Sequence, residues 1–136
     1  MYLYEMDNDM FIIDCGLAFP DDDMLGVDLV IPDFTYIEKN KEKLRGIVLT
    51  HGHNDHIGNA AYFSELYGAP IAMSKADELL AEDNLCRHFY SVGAAGKVVA
   101  ALSKKPMSNR SELFEVNIYL EDGMELGKNF GAEGAP

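Results

Sequence analysis

The stretch IVLTHGHNDHIG, residues 47–58, brings three of the chain's four histidines and an aspartate into six positions directly behind an apolar, β-prone run. Residues 47–50 read as a buried strand and 57–67 as a helix, so the cluster falls in a strand-to-helix turn at the carboxyl end of a strand, where sheets hold their ligands. His51 and His53 stand two apart in an extended segment and point to one side of the backbone, so their nitrogens can hold one metal ion. Asp55 and His56 follow at the helix start. They are expected to turn away from that pair and to offer an oxygen and a nitrogen to a second ion. Gly52 lets the backbone bend without a β-carbon in the way. Imidazole and carboxylate without thiolate suit zinc, iron or manganese, and an incomplete protein shell leaves a position for water. A plain polar turn with Asp55 as helix cap is the alternative, and the crowding of neutral imidazoles weighs against it.

The rest of the chain alternates strand and helix patterns. Residues 2–6 and 10–15 are β-prone runs around Asp7-Asn8-Asp9, which predicts a hairpin. Residues 16–35 contain Pro20, the acidic run Asp21-Asp22-Asp23, Gly26 and Pro32, and read as a long loop with a short strand at 28–31. Residues 36–44 have helical spacing with Gly46 as a stop. Residues 70–73 read as a strand, and 75–82 and 93–104 as helices, the last with Val98, Val99 and Leu102 on one side. Two β-prone runs, 113–120 and 124–126, flank Glu121-Asp122-Gly123 as a second hairpin. The Gly- and Ala-rich residues 127–136 read as a frayed tail. This order predicts a mixed α/β layered fold with helices against a sheet, in one domain over residues 1–126.

A single core is also what 136 residues allow. Lysine and arginine number 11 against 23 acidic residues, a formal charge of −12, which disfavours nucleic acid as a partner of this segment alone. No apolar run approaches the roughly 18–20 residues of a membrane span, and MYLYEMDND lacks the marks of a secretory leader. A cytoplasmic location without a membrane partner is expected. Cys15 and Cys86 fit no C-x-x-C pattern and read as small buried or half-buried residues.

His51-x-His53-x-Asp55-His56 resembles the H-x-H-x-D-H signature of the metallo-β-lactamase superfamily, and the preceding strand and following helix match that setting. The resemblance implies an αββα sandwich, of which this chain reads as the amino-terminal half. It also implies His51 and His53 on a first metal and Asp55 and His56 on a second, with Asp55 orienting the attacking water. The ion would be zinc, one or two per site, with manganese or iron as alternatives. Asp14, in FIIDCG, matches the upstream aspartate that steadies the histidine loop from behind. Up to residue 58 the sequence is similar to the ribonuclease J family of bacterial two-zinc nucleases. Residues 59–136 are more similar to small single-domain hydrolases of the same superfamily, so the chain reads as a truncated or chimeric domain.

The family completes its site with later histidines and a bridging aspartate, and nothing here matches them. His88, in LCRHFYS, reads as a surface or helix-end residue, and Asp77, Asp83 and Asp122 as helix or turn residues. Four ligands shared by two ions leave each with two protein bonds, fewer than the three that catalytic zinc keeps. Half a sandwich would also leave a sheet face open to self-association. The resemblance implies a hydrolase working through metal-activated water, with an RNA phosphodiester as substrate in the complete protein. Two alternatives stand beside it: a small ester or thioester hydrolase, and a non-catalytic metal-binding half-domain that needs a second chain or a second copy of itself. Lys39, Lys41, Lys43 and Arg45 alternate with Glu38 and Glu42 and read as a solvated helix face.

Overall fold

The computed structural model describes residues 1–18, 20, 24–27, 30–83, 93–107 and 112–131. The acidic run 21–23, Cys86 and His88 lie outside the described residues. Strands β1 (Tyr2–Met6) and β2 (Asp9–Ile13) pair antiparallel as the expected hairpin. The turn is tighter than predicted. Asp7 takes a left-handed φ of 54°, and Asp9 is already a strand residue, buried and paired with Arg45 at 2.5 Å.

Strands β3 (Leu44–Leu49), β4 (Ile71–Met73) and β5 (Ile118–Tyr119) then add in parallel, giving a five-stranded mixed sheet in the order β1-β2-β3-β4-β5. The connections carry α1 (Thr35–Lys39), α2 (Asn54–Ile57), α3 (Ala60–Tyr67), α4 (Glu78–Glu82) and α5 (Gly93–Met107). Helix α6 (Leu126–Phe130) follows β5.

Register sorts the sheet into two faces, because partners across a ladder share one side. Leu3, Ile12, Ile47 and Ile71 form one row. This side, with Leu49 and Met73, packs against Ile37 of α1, Ile57 of α2, and Ala60 and Phe63 of α3, all within one buried cluster. The opposite row is Tyr2, Ile13, Val48, Ala72 and Ile118. On that side α6 sets Phe130 edge-on against Phe11, with ring centroids 5.3 Å apart. One sheet with helices massed on one face is the architecture of a partial αββα sandwich, as the sequence predicts.

Several elements depart from expectation, each for a tertiary reason. The helix predicted over 36–44 is α1 followed by a 3-10 turn at Lys41–Lys43, and Leu44 already belongs to β3. Gly46 is no stop: it lies inside β3 and is buried, beneath the Phe130 ring. Of the strand expected at 28–31, residues 28 and 29 lie outside the described residues, and Val30 makes an antiparallel bridge to Ala18. The second hairpin does not form. Ile118 and Tyr119 pair with β4 instead, and residues 124–126 lead into α6. The tail is correspondingly not frayed from residue 127: Gly127 is buried and Phe130 packs on the sheet. Helix α5 runs to Met107, and its Val98, Val99 and Leu102 are exposed. Within the basic stretch Glu38, Lys39, Lys41 and Glu42 are exposed, as a solvated face requires, whereas Lys43 bonds Glu5 at 2.6 Å and Arg45 holds Asp9. Among the described residues no helix is long and apolar enough to cross a membrane.

Candidate functional site

Parallel pairing of β2 and β3 places their carboxyl ends side by side, so Asp14, one residue past β2, meets Thr50, one past β3. The Asp14 N–H donates to Val48 O at 3.0 Å, which extends the ladder by one rung. Asp14 then takes a left-handed φ of 52°, which swings its side chain onto the histidine turn. Its Oδ1 accepts the Thr50 backbone N–H at 2.8 Å. Its Oδ2 accepts the Thr50 hydroxyl at 2.7 Å and meets His56 Nδ1 at 2.8 Å. Burial alone would raise the Asp14 pKa, but the bonds from Thr50 and His56 outweigh it and hold the carboxyl below its ordinary range.

The turn itself is clamped by backbone bonds. Cys15 N–H donates to His56 O at 2.8 Å, and Asn59 N–H donates to Cys15 O at 3.1 Å. These two bonds divert groups that a continuous helix would use internally. The predicted helix over 57–67 is therefore two pieces, α2 and α3, and His56 is carried on α2 against the end of β2. Two glycines permit the approach. A β-carbon on Gly16 would lie 2.0 Å from Asp55 O, and one on Gly52 would lie 2.5 Å from Ala81 N and 2.6 Å from Asp77 O. Gly52 thus serves close packing against α4.

The imidazoles gather more tightly than the sequence suggests. His51 and His53 have ring centroids 4.8 Å apart, on one side as expected. His56 does not turn away from them, since its ring centroid is 3.8 Å from that of His51. Asp55 is exposed beside it, with Oδ2 at 3.6 Å from His56 Nε2. Burial first, and then the nearby His56 and His53, lower the His51 pKa, so this ring stays neutral further into acid. Asp77 and Asp122 lie in a 3-10 turn and a loop turn, and Asp83 ends α4.

Imidazoles and a carboxylate around one turn suit a divalent cation in kind. In number they fall short. Among the described residues no three His, Cys, Asp or Glu side chains form a group able to hold a metal ion. Thr50, which touches both Asp14 and His51, went unread in the sequence. Its only signal there is a hydroxyl between a buried strand and the first histidine.

A profile of the metallo-beta-lactamase superfamily matches residues 1–130, and the chain belongs to that superfamily. Among its curated relatives, ribonuclease J 2 of Staphylococcus aureus (strain MRSA252) is 51% identical over 85 residues, and ribonuclease J 2 of Staphylococcus saprophyticus (strain ATCC 15305) is 52% identical over 85 residues. Each match covers 62% of this chain and 15% of the relative's length. An aligned stretch of 85 residues cannot fit before residue 58, so this likeness continues past the histidine turn.

Proposed function

We propose that this chain is the part of a metal-dependent phosphodiesterase of the ribonuclease J type that carries the histidine turn, with RNA as its substrate class. The observation that carries the reading is identity of about half over 85 residues to two proteins named ribonuclease J 2. His51, His53, Asp55 and His56 would hold zinc, one or two ions, with manganese or iron as alternatives, and further ligands would come from residues other than those described. When bound, the ion supplies a water of lowered pKa and a positive charge beside the attacked phosphoryl group. The chain's own residues supply orientation. Asp14 braces His56, Thr50 ties the turn to Asp14, and the exposed Asp55 would orient an attacking water. The charge of −12 works against attraction of a polyanion, and Lys43 and Arg45 are committed to ion pairs, so backbone contacts to RNA need other basic residues. An RNA substrate would be met in the cytoplasm.

The lack of a three-donor group among the described residues favours a second reading, a half-domain without turnover unless a second chain completes it. A small-ester or thioester hydrolase is the third. Bis-p-nitrophenyl phosphate and a chromogenic thioester, each assayed with added zinc or manganese, separate the three. The phosphodiesterase reading expects metal-stimulated phosphodiester hydrolysis, lost in His53→Ala. Metal-stimulated thioester cleavage alone assigns the ester chemistry, and no metal-dependent rate with either substrate assigns the half-domain.

A further inference from the structure

We propose that Thr50 sets the tautomer of His51, so that the single carboxylate of Asp14 organises two imidazoles: His56 directly, and His51 through the Thr50 hydroxyl. The argument is an accounting of hydrogens. A carboxylate offers only acceptors, and a hydroxyl carries one hydrogen. At 2.7 Å from Asp14 Oδ2, the Thr50 hydroxyl must spend that hydrogen on the carboxylate, because the reverse would set two lone pairs against each other. The same oxygen lies 3.1 Å from His51 Nδ1. Having no second hydrogen, it can only accept there, so His51 Nδ1 carries the proton. His56 Nδ1 faces Asp14 Oδ2 at 2.8 Å and must likewise be the donor.

In a neutral ring one nitrogen donates and the other accepts, and the bond made by one decides the role of the other. Both rings are therefore held with the proton on Nδ1 and the lone pair on Nε2. His56 Nε2 lies 3.6 Å from Asp55 Oδ2. Thr50 is thus a positioning residue. Its backbone N–H fixes the Asp14 carboxylate at 2.8 Å, and its hydroxyl passes the orientation on to the first histidine of the turn.

The use made of the Nε2 lone pairs rests on the hydrolase reading, but the tautomer does not. Its test needs no turnover: long-range 1H–15N correlation of the histidine rings in 15N-labelled protein at a pH where the rings are neutral. The expected result is a pyrrole-type Nδ1 and a pyridine-type Nε2 for both His51 and His56. In Thr50→Val, which keeps the shape and loses the hydroxyl, His51 is expected to move toward the Nε2–H form while His56 keeps its pattern, and Thr50→Ser should restore His51. An Nε2–H ring at His51 in the unaltered protein overturns the assignment without any variant. So does a Thr50→Val protein whose His51 still carries its proton on Nδ1. Loss of hydrolysis in the preceding assay with the Nδ1–H pattern intact would count against the enzyme reading alone.

Discussion

Asp14 shows how much one side chain carries in this fold. Its φ of 52° lies in the left-handed region, which costs a residue bearing a β-carbon roughly 1–2 kcal/mol, and aspartate and asparagine are among the side chains best tolerated there. Asp14→Ala keeps the strain but removes the acceptors of the Thr50 N–H and His56 Nδ1. It is expected to lower stability by about 2–3 kcal/mol in urea denaturation at neutral pH. Asp14→Asn, which retains one oxygen and the backbone preference, should cost less, and an alanine variant as stable as the parent would remove the network from the stability account. Next to it, Cys15 is fully buried, and burial together with the Asp14 carboxylate pushes its thiol up to about 12. Thiolate is the reacting form, so Cys15 should resist iodoacetamide at pH 8 in the native protein and react once the chain is unfolded. Peptide mass spectrometry distinguishes it from Cys86. Above about 8.5 the unfolded thiol loses its proton while the native one keeps it, so stability falls as pH rises through that point. Cys15→Ala should flatten that alkaline slope.

Elements were legible where their signal is local. The β1–β2 turn, the apolar run of β3 and the Gly68 stop after α3, with φ 64°, each follow from residues in sequence contact. What went unread was set across the sheet. β5 pairs with β4 rather than folding back on residues 124–126, and α6 forms because Phe130 has a place over Gly46 and beside Phe11. Nothing near residue 130 announces that place. A β-carbon at position 46 would come within 2.1 Å of the Phe130 ring, so the two positions are coupled. Phe130→Ala is expected to cost about 1–2 kcal/mol from lost burial. Gly46→Ala should destabilise the parent yet change little in the Phe130→Ala background, where the ring is gone. A double-mutant cycle in urea reads the coupling, and additive costs would show that the contact does not limit either site.

At the scale of the whole molecule the sheet is covered unequally. Helices α1 to α3 bury one face, whereas on the other Tyr2 is 75% and Tyr4 46% exposed, and Ile13, Val48 and Ile118 are only partly covered. An apolar row of this kind, beside an edge strand, favours self-association. Sedimentation velocity should show mass rising with concentration, and Tyr2→Lys with Tyr4→Lys should return the chain to monomer. A concentration-independent monomer in the parent would mean that the row is tolerated in water. The sequence by itself determined the hairpin start, the mixed α/β class and the four residues from His51 to His56 that cluster at a strand end, because spacing and turn chemistry are local properties. Only the tertiary structure decided that His56 folds back onto His51, that Asp14 meets His56 directly and His51 through Thr50, and that the helix after the turn breaks at Gly58 and Asn59. Those outcomes depend on hydrogen bonds from Asp14 and Cys15 to the histidine turn, residues some forty positions apart, which meet because β2 and β3 lie parallel.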